Sequence, residues 1–488
     1  MITALKNIID KSGLKETLLH AKNYFFTNVV TMSLSLISMP IFTRLLTPSD
    51  YGVINIFSVW VAIAAIVLPL NLYTAVNRYY YENNDDFDSF LGTSILLSYA
   101  CLGISLTVMM VFKSFFARQL RLPESTLYFM IPAVILAVLD GIFMQVFLPR
   151  RNSKIIMRFS IAQTYIGFAV SVAFVYWMYI SHYENRYMGR LWADVIIFFV
   201  FGSFKVYQIS KYVKLSFNIK HVKYIAGYSL PLIPYLLSGQ ILSLFDRVMI
   251  EKYQGIAQSG LYSFAYNISM LQIPISNALY NAFIPDYYKF YNEKRYKEHD
   301  IAVTQLYNII SVSAVFFMLF GFEIGSILGS KSYHSSLYII PIVIVGHWFN
   351  AIFPIYSRNF QYQKKTYIAA IVSISAGILN IGLNILFIPK YGSMAAAYTT
   401  TISMFYLALV GFIVCKYFIK IHVLNPIYLL RPLIVMILTA FLFYTYFMTH
   451  TEYFYTNILL KIITLAAALS ILYFSHLNKF ISRLIKSN

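Results

Sequence analysis

Charge and sulfur are what this chain has least of. Lys, Arg, Asp and Glu together make up 12% of its 488 residues, tryptophan occurs four times, and cysteine only twice. So sparse a charged set cannot clothe the outside of a soluble domain. Cys101 and Cys415 both stand inside apolar stretches, which argues against a disulfide framework and against a cysteine metal cluster. No polar stretch is long enough to be a folded extramembrane domain, so the chemistry lies within the helices or at their ends, and most enzyme classes are disfavoured. What is abundant is apolar surface: 59% of residues are hydrophobic, with 42 Tyr and 41 Phe, and the mean hydropathy is +0.66. The chain therefore reads as an integral membrane protein. The excess of 38 Lys and Arg over 19 Asp and Glu lies in short runs between apolar stretches, which is the positive-inside pattern of membrane loops and implies no nucleic acid.

At about 20 apolar residues per crossing, fourteen spans are expected, near residues 24–42, 51–73, 91–112, 125–147, 159–180, 189–207, 225–245, 258–284, 302–328, 337–357, 367–388, 393–415, 428–449 and 457–474. Most of the basic residues, from Lys6 in the lead-in to the C-terminal tail, fall on the face that carries both termini, which makes that face cytoplasmic. The acidic loop with Glu82, Asp85, Asp86 and Asp88 departs from this pattern, but acids weigh little in orientation. The organisation read from these signals is an amphipathic cytoplasmic lead-in at 1–23, a six-helix bundle at 24–207, a cytoplasmic linker at 208–224, a second six-helix bundle at 225–415, two additional helices at 428–474 and a cytoplasmic tail at 475–488.

The halves echo each other. Phe42-Thr43-Arg44 is matched by Phe245-Asp246-Arg247, and Gly52 by Gly260. Leu127-Tyr128, Asp140-Gly-Ile-Phe, Lys154 and Gly167 recur 210 residues later as Leu337-Tyr338, Asn350-Ala-Ile-Phe, Lys364 and Gly377. An offset of six spans preserves direction, so the repeats are parallel and related by an axis along the membrane normal. Pro40 in the first span and Pro231 and Pro234 in the seventh mark these two as the expected bending elements.

The run PIFTRLLTPSDYGVINIF at 40–57 closely resembles the first loop of Wzx-type bacterial polysaccharide flippases, of the superfamily that also holds multidrug and toxin extruders and the lipid II flippase. Asn77-Arg78-Tyr79-Tyr80 and Arg358-Asn359-Phe360-Gln361 resemble that family as well. The resemblance implies an all-α membrane protein in which two six-helix bundles form a V around a cavity, with the last two helices added. It implies alternating access that carries an undecaprenyl-diphosphate-linked oligosaccharide, an O-antigen repeat unit, from the cytoplasmic to the periplasmic leaflet of the bacterial inner membrane. Such a protein uses no cofactor and is not an enzyme. Its partners are that lipid, the surrounding membrane lipids, and the polysaccharide polymerase and chain-length regulator.

Such a cargo sets the chemistry that the helices must supply. A diphosphate calls for guanidinium forks, which donate two parallel hydrogen bonds and keep their charge when partly buried. Arg44, Arg78, Arg247 and Arg358 are the candidates, and Asp246 beside Arg247 partly offsets its charge. For the sugar, the polar set Asn267, Gln272, Asn277 and Asn281 recurs along the eighth span, with Asn277 and Asn281 chosen. Asp140, deep in the fourth span, is the candidate for coupling to protons or sodium, against packing by an interhelical hydrogen bond. Asp194, Glu323 and His347 are weaker candidates, and no residue set suggests a metal. Two other functions share many of these features. A multidrug or toxin exporter has the same bundles but usually twelve spans and cation-binding acids, and a membrane-embedded O-antigen polymerase has a long periplasmic loop.

Overall fold

The computed structural model describes residues 14–82, 86–150, 152–363, 365–447 and 454–486, and the described residues form helices with no strand. Residues 1–13, Asp85 and Lys364 lie outside them. The chain divides into two compact units, Met1–Gln240 and Ile241–Asn488.

The first unit begins with a helical hairpin, α1 (Leu14–Leu45) and α2 (Pro48–Val67). The conspicuous LTPSDYG run is its corner. Thr47 caps α2: its hydroxyl accepts from Asp50 N at 3.1 Å, and Asp50 Oδ2 accepts from Thr47 N at 3.1 Å. This capping box satisfies two of the donors that a helix start leaves open, and Pro48 occupies a position that needs no N–H. The same carboxylate is buried and accepts from Tyr187 N at 3.2 Å, so the corner also fixes the start of a later helix.

The second rod then breaks. After Pro69, Leu70 and Asn71 take left-handed φ values of 51° and 52°, and the chain resumes as the 3₁₀ turn Leu72–Thr74 and α3 (Ala75–Glu82). Next come α4 (Phe87–Val111), α5 (Lys113–Leu120), α6 (Thr126–Phe147) and α7 (Ser153–Ile180). The sixth rod is α8 (Tyr187–Ile197), the π turn Phe198–Gly202 and α9 (Ser203–Ser210).

Residues 208–224, read from the sequence as a linker, fold onto the first unit. Lys214 N donates to Asp88 O at 3.1 Å, and Gly92 of α4 lets that strap approach so closely that a Cβ there would overlap the carbonyl of Lys214. The seventh rod starts as α10 (Ile219–Ser229), breaks in the 3₁₀ turn Leu230–Leu232 around Pro231, and continues as α11 (Ile233–Gln254). The division between the units falls inside α11, because α10 packs against the first unit before the proline break. Pro231 thus interrupts its rod as expected, whereas α1 runs as one uninterrupted helix through Pro40.

In the second unit, α12 (Ile256–Ser269) and α13 (Ile273–Asn292) are separated by the 3₁₀ turn Met270–Gln272. Then follow α14 (Tyr296–Leu328), α15 (Ile340–Tyr362), α16 (Thr366–Ile413) with the π turn Val414–Ile419, α17 (Ile427–Leu442) and α18 (Phe454–Lys486). The two halves repeat their irregularities. The second and eighth rods both break midway, and the sixth and twelfth both contain π turns.

Ten helical stretches among the described residues are long and apolar enough to cross a membrane. This is fewer than the fourteen expected, for identifiable reasons. One stretch, Tyr367–Ile419, is 53 residues long and folds back at Gly392, where φ is 65° and ψ −147°. Two shorter apolar helices, Leu36–Leu45 and Asn457–Tyr473, stand outside the count. Asn267, Gln272 and Asn277 dilute the apolar side chains of α12 and α13.

Candidate functional site

Each unit buries its own polar centre. In the first, a cavity of about 430 Å³ is lined by Thr31, Ser38, Asn55, Gln163, Arg190 and Asp194, among others. Arg190 lies 3.6 Å from Asp194 and donates to Ser171 Oγ at 2.8 Å. Gln163 joins this cavity to an ion pair, since its amide donates to Asp140 Oδ2 at 3.1 Å while the Lys205 ammonium contacts both Asp140 Oδ1 and Gln163 Oε1. Asp140, chosen from the sequence as a lone titratable group, therefore has a counter-charge. By sequence Lys205 opens the run of bases from Lys205 to Lys223 that reads as cytoplasmic. A lysine at the end of the apolar run from Ile196 to Phe204 can extend its long stem inwards, and its side chain is only 5% exposed.

The second unit is organised around Asp246, which is buried in α11. Its carboxylate accepts from Asn384 Nδ2 at 2.8 Å, from Tyr262 OH at 2.9 Å and from the Thr400 hydroxyl. Asn384 in turn donates to Asn380 Oδ1 at 3.1 Å and accepts from Thr399. A buried carboxylate that accepts from one amide N–H and two hydroxyls inside a helical bundle is a group whose charge state function can use. The sequence signal for it was present in Asn380 and Asn384, one helical turn apart in an otherwise apolar helix, and in the run Thr399-Thr400-Thr401.

Arg247 is also buried. It donates to Asn267 Oδ1 at 3.0 Å and lies 5.2 Å from the Tyr266 ring centroid. Its proposed match Arg44 is instead exposed at the end of α1, with Nη1 donating to Pro40 O at 2.7 Å, so the sequence echo does not give the two arginines a common environment. Arg78 lies in α3, at the far end of the rod that starts at the Arg44 corner, so the structure does not bring these two together. Its Nε donates to Glu82 Oε1 at 2.6 Å and its guanidinium lies over Tyr228.

Here the acidic loop finds its partners. Tyr224 OH donates to Glu82 Oε2 at 2.5 Å, Tyr79 OH to Asp86 Oδ1 at 2.7 Å, and His221 Nε2 pairs with Asp86 Oδ2 at 2.8 Å. The hydrogen bond from Tyr79, then that from His221, holds the Asp86 carboxyl below its ordinary range against some desolvation. Arg358 is half-buried, with Nη1 donating to Gln361 Oε1 at 2.8 Å and Nε to Tyr280 OH at 3.3 Å. Asn277 and Asn281 are both exposed. Of the weaker candidates, His347 is buried with neither ring nitrogen hydrogen-bonded among the described residues, and Glu323 contacts the ammonium of Lys461.

The family described as "Polysaccharide biosynthesis protein" matches residues 22–290, more than half of the chain. The chain belongs to that family. This polysaccharide biosynthesis family member is 21% identical to "Lsg locus putative protein 1" of Haemophilus influenzae over 378 residues, which cover 72% of the chain and 88% of that relative. Among solved structures, it resembles the lipid II flippase MurJ in an inward closed conformation, with a TM-score of 0.66, 16% identity, and 94% of this chain and all of that one covered. It also resembles a multidrug resistance MATE family transporter of the MOP superfamily in an inward-facing conformation, with a TM-score of 0.62, 16% identity, and coverage of 80% and 98%. The family member thus has the transporter fold that these proteins share.

Proposed function

We propose that this protein is a flippase that moves an undecaprenyl-diphosphate-linked oligosaccharide, an O-antigen-type repeat unit, from the cytoplasmic to the periplasmic leaflet of a bacterial inner membrane. Both termini are cytoplasmic, and access alternates between the two sides. The observation that carries this reading is membership of the polysaccharide biosynthesis family combined with a two-unit transporter fold whose polar groups are buried within the helices. The first unit offers a cavity with both charge signs, which suits hydroxyl-rich sugar. Arg358, with the phenols of Tyr280 and Tyr288 beside it, is the best held of the four diphosphate candidates, while Arg78 and Arg44 stand at opposite ends of one rod, Arg78 as the cytoplasmic entry contact and Arg44 as the periplasmic exit contact. Asn277 and Asn281 remain candidates for contacts with the sugar.

Coupling is assigned to Asp246 in preference to Asp140. Asp140 is in contact with the Lys205 ammonium, whereas the Asp246 carboxylate accepts its hydrogen bonds from neutral groups and feels Arg247 only through its charge. Movement of a proton or sodium ion on and off that carboxylate would bias the second unit between two packings.

The test is deletion of the gene in its host, followed by extraction of undecaprenyl-linked intermediates. Loss of a flippase leaves single repeat units on the cytoplasmic face. If single units accumulate on the periplasmic face instead, the protein is a polymerase. If no intermediate accumulates and drug sensitivity rises, it is a multidrug exporter.

A further inference from the structure

His299, Asp300 and His422 each offer one ligand atom, and these atoms all lie within 4.8 Å of one another. The three residues come from separate parts of the second unit. His299 and Asp300 stand in the polar first turn of α14, and His422 stands in residues 420–426, the strap that joins the twelfth rod to α17. Asp300 Oδ1 lies 3.0 Å from His299 Nδ1 and 2.8 Å from His422 Nε2. Both ion-pair partners of this carboxylate among the described residues are imidazoles, rings that can give a nitrogen to a metal ion.

The ligands are held in advance. His299 is fully buried, with the rings of Tyr287 and Tyr291 at 5.8 and 5.1 Å from its own. The His422 ring is stacked on Tyr296 at 4.5 Å with 24° between planes, and its backbone carbonyl accepts from Tyr291 OH. The second ring nitrogen of His299, Nε2, is buried without a hydrogen-bond partner among the described residues. Asp300 and His422 keep 21% and 28% of their side-chain surfaces exposed, which leaves a path for an ion and room for a water as a further ligand.

Two imidazoles and one carboxylate with an open position form a ligand set for borderline divalent metals, zinc above all. We propose that His299, Asp300 and His422 bind one transition-metal ion of the zinc class, which pins the 420–426 strap, and with it the last two helices, to the start of α14. Binding replaces the two imidazole–Asp300 hydrogen bonds with bonds to the metal, each neutral ring keeping its proton on the other nitrogen, so no redox step is involved.

The test uses the full-length protein purified in detergent with a histidine-free tag, stripped by chelator, and titrated with Co²⁺ and then Zn²⁺. The expected result is one ion per chain, a visible Co²⁺ ligand-field band that Zn²⁺ abolishes, and a rise in melting temperature on adding Zn²⁺. His422→Ala and Asp300→Asn should weaken binding at least tenfold and lose the melting shift, with His422→Gln as a second substitution at the most exposed ligand. Absence of stoichiometric binding to the wild type would overturn the proposal. So would equal binding by the variants, which would place the ion at other histidines.

Discussion

Burying a carboxylate in a membrane bundle is tolerable only beside a counter-charge, water or a proton, and Asp140 has Lys205. Lys205→Met should therefore destabilise the first unit by about 2 kcal/mol. This is less than the roughly 3–5 kcal/mol of a fully buried pair, because the Asp140 side chain keeps 40% of its surface exposed. The exchanged pair Asp140→Lys with Lys205→Asp should recover much of the loss in a detergent melting assay, which a purely steric role for Lys205 would not allow. Asp86 gives a second expectation. Its folded pKa lies below the ordinary 3.8, so the stabilisation it supplies is fully present above that value and is lost as pH falls through the folded one. Tyr79→Phe removes the largest contribution, raises the folded value towards 3.8 and should shrink the stability that the unit loses on acidification. Melting curves taken between about pH 3 and pH 6 would detect this.

At the scale of elements, the eleventh and twelfth rods owe their separation to one residue. Gly392 combines φ 65° with ψ −147°, a region that side chains rarely enter, and a Cβ there would overlap the Gln254 amide. That amide is committed, since Gln254 Oε1 accepts from Ser393 N at 2.8 Å. Gly392→Ala should cost about 1–3 kcal/mol and lower the yield of folded protein, read by monodisperse elution, whereas Gly382→Ala in open space within the same helix should not. This break was legible, because Pro389 and Gly392 interrupt two apolar runs at the point where the sequence divides them. The break after Pro69 was not. Leu70 and Asn71 carry no glycine to announce a left-handed turn, and the turn is held locally, with Asn71 Nδ2 donating to Thr74 Oγ1 at 3.1 Å. Likewise, the Thr47–Asp50 corner could be read as a hinge, but the reach of Asp50 to Tyr187 could not, because it spans 137 residues. The polar centres were half legible. Asp140 was visible as an acid inside an apolar run and Asp246 only as a neighbour of Arg247, while Lys205 and Lys461 were masked by their habit of snorkelling from helix ends.

Across the whole molecule, the duplication preserves backbone irregularities better than chemistry. Broken second and eighth rods and π turns in the sixth and twelfth recur, yet Asp140 is matched by Asn350, and exposed Arg44 by buried Arg247. Under the proposed function, two related units with different polar contents would divide the labour of coupled transport, one holding cargo and the other an ion. Transport is therefore expected to depend on Asp246 more than on any acid of the first unit. The most direct measurement reconstitutes the full-length protein in proteoliposomes with a fluorescent polyprenyl-diphosphate sugar and follows its accessibility to an impermeant quencher under an imposed proton or sodium gradient. Wild type should carry the lipid across and enrich it in one leaflet, while Asp246→Asn, folded to the same extent, should leave no gradient-driven enrichment. Enrichment by the Asp246→Asn variant equal to that of wild type, or movement no faster than in protein-free vesicles, would contradict the account.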